Sequence, residues 1–179
     1  MPFFISRFEV SRAEFARLVG RRKPRRQIAR QSFVFTRPAE IERLTPFRLP
    51  SLTEWQHACV TGGQPTSPDP RDAPASCWYR GNNPPELRTA DSRAHADHAN
   101  RLGIADLLGG VGELCVDEPE RRKQLGLPEL GRTFLICGGD LRTPLQLLTP
   151  ENVLACTPLG ELPENQRSGC GLRLVLDPR

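Results

Sequence analysis

Asn100-Arg-Leu-Gly-Ile-Ala-Asp-Leu-Leu-Gly-Gly-Val-Gly-Glu-Leu-Cys-Val-Asp117 is the stretch on which the fold turns. A glycine or a polar residue interrupts every apolar run in it, so it is too broken for a long helix. Its spacing is too ordered for a disordered segment. The residues therefore predict a compact loop, with the rest of the chain organised around it.

Asn100, Gly103, Asp106, Gly109, Val111 and Glu113 keep the spacing N-x-x-G-L-x-D-M-x-G-N-V-x-E-W, and in this the stretch resembles the formylglycine-generating enzyme (sulfatase-modifying factor) family. The resemblance implies that family's variant of the C-type lectin fold. Gly110 stands where the family has asparagine, and Gly112 and Leu114 stand where it has tryptophans. Scaffold positions are kept while positions that bear on a site are altered.

Working outward, Arg48-Leu49-Pro50-Ser51-Leu52-Thr53-Glu54-Trp55 resembles the family's RLPTEAEWE. Its physical logic is independent of that likeness. Ser51 and Glu54 have the spacing of a capping box, Leu49 is placed to staple onto Trp55, and Ala58 follows on the same face, with Gly62-Gly63 as the stop. Trp55 is thus expected in the core. Near the start, the apolar run Phe3 to Phe8 reads as a strand, and Ser11-Arg12-Ala13-Glu14 as a second capping box; Phe15, Leu18 and Val19 form a stripe that Gly20 ends. Glu9-Val10-Ser11 followed by Phe15 resembles the family's EVTNxxF. Residues 31 to 47, where the family has a strand and a helix, are too short and too proline-interrupted to match it well.

Downstream, Thr133-Phe134-Leu135-Ile136 reads as a buried strand running into Cys137-Gly138-Gly139-Asp140, which resembles the family's RGGS with Cys137 and Asp140 in place of Arg and Ser. Gly171-Leu172-Arg173-Leu174-Val175 resembles the terminal GFRLV, and the alternation of Leu172, Leu174 and Leu176 fits a half-buried strand. The expectation is one α+β domain over residues 1 to 179, loop-rich, with two main helices and short antiparallel strands.

At 179 residues and 37% hydrophobic content the chain can bury one sizeable core. Residues 1 to 90 carry 15 basic and 8 acidic groups (+7), and the remainder 10 and 13 (−3), which together give the net +4. Much of the excess lies in Arg21, Arg22, Lys23, Arg25, Arg26 and Arg30. Phosphate contacts need little beyond such cations, but no aromatic residue is interleaved for base stacking, so a solvated loop is favoured over a nucleic-acid site. The opening residues contain neither a secretion h-region nor a membrane span, which points to the cytoplasm. The six cysteines include no C-x-x-C pair and read as reduced, mostly buried thiols. His95, Asp97 and His98 could share an ion only with a third ligand, and without one they read as surface polar residues. Gln64 to Arg88 reads as loop, in which Cys77-Trp78-Tyr79-Arg80-Gly81-Asn82 resembles the family's PWG turn weakly.

The resemblance also implies chemistry. The family's oxidase holds copper with two cysteines, as soft thiolates suit Cu(I), and these follow the RGGS serine by three and then five residues. Counted from Asp140 they are Thr143 and Leu148, neither of which is a copper ligand. A relocated pair would be Cys137 and Cys156. The family's calcium ligands are incomplete, because Gly110 supplies no side-chain oxygen beside Glu113 and Asp117. No cofactor, metal or catalytic residue is therefore expected. Trp55, Asn100, Gly103, Asp106, Gly109, Glu113, Gly138, Gly139, Gly171 and Arg173 remain as scaffold. The expected function is non-catalytic: a protein-binding module whose apolar contact comes from residues 141 to 159, chiefly Leu145, Leu147 and Leu148 beside Arg142, with the basic run steering an acidic partner. A ligand-displaying variable protein of a diversity-generating retroelement, with residues 141 to 168 as the display surface, is the alternative from the same fold.

Overall fold

The computed structural model describes residues 2–21, 39–61, 77–82, 99–126, 133–150, 153–156 and 170–178, with the backbone alone for 39–40 and 153–156. Its strands are β1 (Phe4–Ile5), β2 (Gly112–Val116), β3 (Phe134–Cys137), β4 (Val153–Cys156), β5 (Cys170–Gly171) and β6 (Val175–Leu176). Its helices are α1 (Arg12–Leu18), α2 (Ala39–Leu44), α3 (Leu52–Thr61) and α4 (Pro119–Gln124). A four-stranded sheet runs in the order β4-β3-β2-β5, and β1 pairs with β6 in a separate ribbon. The β2–β3, β3–β4 and β1–β6 pairings are antiparallel; the β2–β5 pairing is parallel.

Both strong helix starts are local chemistry. At α1 the Ser11 hydroxyl accepts from the Glu14 amide and the Glu14 carboxylate accepts from the Ser11 amide at 2.9 Å. At α3 the same reciprocal pair joins Ser51 and Glu54, at 2.9 and 3.2 Å. Gly20, at φ 67°, follows the end of α1, whereas Gly62 and Gly63 lie outside the described residues. A short helix, α2, does stand within the proline-interrupted stretch 31 to 47.

The central sheet is apolar on both faces. Cys115, Leu135 and Cys137 join Trp55, Ala58 and Cys59 of α3 in one core cluster. The intervening Leu114, Phe134 and Ile136 pack with Phe15 of α1 and Ile41 of α2 in the other. A sheet covered on both sides cannot show apolar/polar alternation, which is why β3 reads as a continuous apolar run. Leu49 belongs to the second cluster rather than to that of Trp55, so the expected staple is not formed.

Two expectations change here. The end of the opening stretch is not loop: Gly112 to Val116 is the strand bonded on both sides, to β3 and to β5. Nor is 172 to 174 a strand with an outward polar residue. Leu172 and Leu174 are buried as alternation predicts, but Leu176 is 38% exposed with Val175 buried beside it, and Arg173 between the first two leucines is 0% exposed.

Candidate functional site

The loop after β3 begins at two crowded glycines. Gly138 takes φ 84°, and a Cβ there would lie 2.3 Å from the Leu107 carbonyl oxygen. Gly139 faces Leu148 and Thr143 together: a Cβ would lie 2.6 Å from Leu148 Cδ2 and 3.0 Å from both Thr143 Cγ2 and Thr143 Oγ1. Thr143 and Leu148 are thus neighbours across one glycine. The Thr143 hydroxyl accepts from the Asp140 amide at 2.9 Å and donates to the Asp140 carboxylate at 3.2 Å. Leu148 is wholly buried. Asp140 also receives Arg142, with Nη2 at 2.6 Å and Nε at 3.0 Å, and this contact raises the Arg142 guanidinium above its ordinary value.

A 3-10 turn, Leu145–Leu147, then points alternate leucines apart. Leu145 joins Leu148 in the Trp55 cluster, so those two are core and not contact surface. In a 3-10 turn side chains three apart lie on one side, which takes Leu145 and Leu148 inward together. Leu147 alone of the three remains outside, 56% exposed, beside exposed Gln146 and Arg142. The turn 77–82 abuts this loop, since the Arg80 amide donates to the Thr143 carbonyl at 3.2 Å. Asn82 holds that turn by accepting from the Tyr79 amide and donating to the Cys77 carbonyl. Trp78 and Tyr79 are half-buried and Arg80 is exposed.

Beneath the loop lies a buried ionic cluster. Arg173 Nη2 donates to Glu113 Oε1 at 2.5 Å and Arg173 Nε to both carboxylate oxygens at 3.0 Å. Its remaining donors reach the carbonyls of Ser6, Arg7 and Ala105. Trp55 Nε1 donates to Glu113 Oε2 at 2.6 Å. Burial pushes the Arg173 guanidinium down, but the charge and hydrogen bonds of Glu113 outweigh it and hold the group charged. One pair thereby ties α3, β2, the residue 105 loop and the segment that follows β1. Asn100 organises the approach: its side-chain oxygen accepts from the Leu102 and Ile104 amides, and its nitrogen donates to the Ala58 carbonyl. Gly109 and Gly138 join backbones at 2.8 Å, and Asp106 takes φ 54° without being glycine.

Residues 26–178 match the Sulfatase-modifying factor enzyme 1-like domain. The chain belongs to that family. Among solved structures, variable protein 1 of Treponema denticola is similar over 98% of this chain and 84% of its own, at 15% identity and a TM-score of 0.69. PvdO from Pseudomonas aeruginosa is similar over 97% of this chain and 80% of its own, at 20% identity and a TM-score of 0.69. No curated protein sequence matches. At such identities the likeness establishes the fold, a mixed helix-and-strand, loop-rich sulfatase-modifying-factor architecture.

For this sulfatase-modifying-factor-like chain, the positions counted as copper ligands are the same Thr143 and Leu148 that meet at Gly139. A hydroxyl occupied by Asp140 and a buried hydrocarbon do not fit a soft metal ion. The relocated pair does not come together either. Cys156 is registered opposite Phe134, three residues along the ladder from Cys137, a separation of about 10 Å. The thiol that does meet Cys137 is Cys115, which sequence reading missed because only the β2–β3 register brings them near. Burial first, then the Cys137 contact, pushes the Cys115 thiol well above its ordinary value and disfavours the thiolate that a ligand or nucleophile needs. Of the two calcium-type carboxylates, Glu113 is engaged as above, and Asp117 accepts from Arg121 and Arg122 at 2.9 and 2.8 Å. Within the basic run only exposed Arg21 is described; Arg22, Lys23, Arg25 and Arg26, like His95, Asp97 and His98, lie outside the described residues. No described helix is long and apolar enough to cross a membrane.

Proposed function

We propose that this chain is a non-catalytic protein-binding module of the sulfatase-modifying factor family, acting in a cytoplasmic complex through the face built by loop 140–148 and turn 77–82. The observation that carries the reading is the replacement at Gly139: the two side chains that would have to be thiolates are a hydrogen-bonded threonine and a core leucine. What remains accessible there is Leu147, Gln146, Arg142 and Arg80. Such a face suits a partner offering an apolar side chain ringed by carboxylates, with the arginines at the rim acting mainly on the association rate.

The test has two arms. Cu(I) titration with a thiol-peptide oxidation assay should give no turnover, and an enzyme-like rate would defeat the reading. Affinity capture from the native cytoplasm should recover a partner that Leu147→Asp loses while the far-UV spectrum is unchanged; no partner, or equal capture by the variant, counts against it. The likeness to a Treponema denticola variable protein supports a second reading, in which the same face displays a changeable ligand-binding surface. Clustered variation among sibling copies within residues 141 to 168 would favour that second reading.

A further inference from the structure

The β1–β6 ribbon, which shares no residue with that face, has one edge closed and one open. On β6, Val175 exchanges amide and carbonyl with Arg48 at 2.8 and 3.0 Å, so that edge is paired. On β1, Phe4 and Ser6 turn their backbone groups toward β6, the Ser6 amide donating to the Leu174 carbonyl at 2.8 Å. Strand geometry therefore turns the amides and carbonyls of Phe3 and Ile5 to the other side, where they have no hydrogen-bond partner among the described residues. Ala105 reaches the same edge only at Arg7, donating to its carbonyl at 3.0 Å. The preceding loop comes no nearer to Ile5, because the amides of Leu102, Gly103 and Ile104 are all bonded to Asn100.

An unpaired strand edge is a template for another strand, and proteins blunt such edges with charge, proline or bulges. Here the edge carries hydrocarbon instead: Phe4 is 65% exposed, and Leu176, directly opposite it across the ribbon, 38%. The edge is also its own complement. We propose that β1 pairs with β1 of a second copy, antiparallel about a two-fold axis at Phe4. Phe3 then lies opposite the partner's Ile5, and Ile5 opposite the partner's Phe3. Each pair exchanges amide and carbonyl, two bonds per pair and four in all. The ladder ends there, since the Arg7 carbonyl is already taken. Between the bonded pairs Phe4 meets the partner's Phe4 at a non-hydrogen-bonded position, where Cα atoms are about 4.5 Å apart and side chains closest. One apolar row then crosses the joined sheet, from Leu176 through the two phenylalanines to the partner's Leu176. A foreign extended peptide would find the same two residues to bond but brings no matching phenylalanine on the axis. So short an edge makes a contact below about 1,200 Å², the class of transient, concentration-dependent association.

Sedimentation equilibrium of the whole chain, over a series reaching about 1 mM, should show monomer and dimer in exchange. Phe4→Lys sets like charges opposite each other on the axis and removes the phenylalanine contact, and should weaken the dimer roughly tenfold or more. Phe3→Pro removes an amide that bonds nothing within the chain, so it should weaken the dimer further than Phe3→Ala, which keeps that amide. With glutathione disulfide as oxidant, Phe4→Cys should link to its own copy, as about 4.5 Å lies within disulfide reach. Leu176→Cys, about three strand spacings or 14 Å from its copy, should not. The unmodified chain fixes the background from its own cysteines, and an unchanged circular dichroism spectrum secures each comparison. The proposal is overturned by a monomer throughout the series, by a dimer indifferent to Phe4→Lys, by equal effects of Phe3→Pro and Phe3→Ala, or by Leu176→Cys linking as readily as Phe4→Cys. Should Phe3→Pro fail to fold, the variants at exposed Phe4 and Leu176 decide it alone.

Discussion

Arg173 is the residue whose environment departs furthest from its sequence pattern. Flanked by Leu172 and Leu174, it should by alternation face water, yet it is fully buried on a carboxylate 60 positions away. Nothing local in the sequence announces such a pair. A buried ion pair adds little net stability over an apolar substitute, but removing one partner strands the other charge. Arg173→Ala should therefore cost about 3–5 kcal/mol in urea denaturation, while the double variant Arg173→Met with Glu113→Leu should recover most of it. Equal destabilisation by the single and double variants would show that the backbone carbonyls, not Glu113, hold the guanidinium. Gly138 gives a second test. Alanine there would need both φ 84° and a Cβ 2.3 Å from the Leu107 oxygen, so Gly138→Ala should lose about 2–4 kcal/mol from strain and crowding together. An unchanged melting midpoint would contradict the close approach.

At the scale of elements, legibility followed the range of the interaction. The Ser11/Glu14 and Ser51/Glu54 boxes act over three residues, and both helices begin where those boxes put them. The strand β2 was hidden because glycines fill its approach, and its partners come from residues 134–137 and 170–171. Leu145 and Leu148 are expected at the surface and lie in the core, because four consecutive positions of leucine and glutamine carry no period from which to tell inside from outside. The α3 start also has an acid-sensitive tie. Arg48 clasps Glu54 with two bonds of 2.7 Å and Asp177 with bonds of 2.6 and 2.9 Å. Burial raises the Glu54 carboxyl, but the bonds from Arg48 and Ser51 prevail and hold it below its ordinary 4.5. A depressed carboxyl contributes stability fully above its unfolded value and loses it as pH falls through the folded one. Stability should therefore decline below pH 4.5, and Glu54→Gln should show a shallower decline there together with a lower plateau at neutral pH. Parallel acid limbs for the two proteins would remove Glu54 from that transition.

For the whole molecule, the decisive feature is that both core clusters share one sheet. Cys115 and Leu114 are adjacent residues of β2 and belong to opposite clusters, so neither cluster can loosen without disturbing the strand that serves the other. Thermal unfolding followed by Trp55 fluorescence in a Trp78→Phe background, reporting one face, should coincide with loss of far-UV signal in a single transition. Separated midpoints would mean that the faces melt independently.

The Arg173 contacts carry a consequence for biosynthesis. Ribosomes deliver the chain from its N-terminal end at about 5–20 residues per second. Glu113 must therefore wait for its cation while 60 further residues are added, and β1 waits longer still for β6. Until residues 170–176 emerge, the nascent domain holds a carboxylate that it cannot bury and one flank of β2 without a neighbour. Completion of this sheet must thus wait for those residues, and from the emergence of β2 until then the nascent polypeptide offers chaperones an unfinished sheet edge.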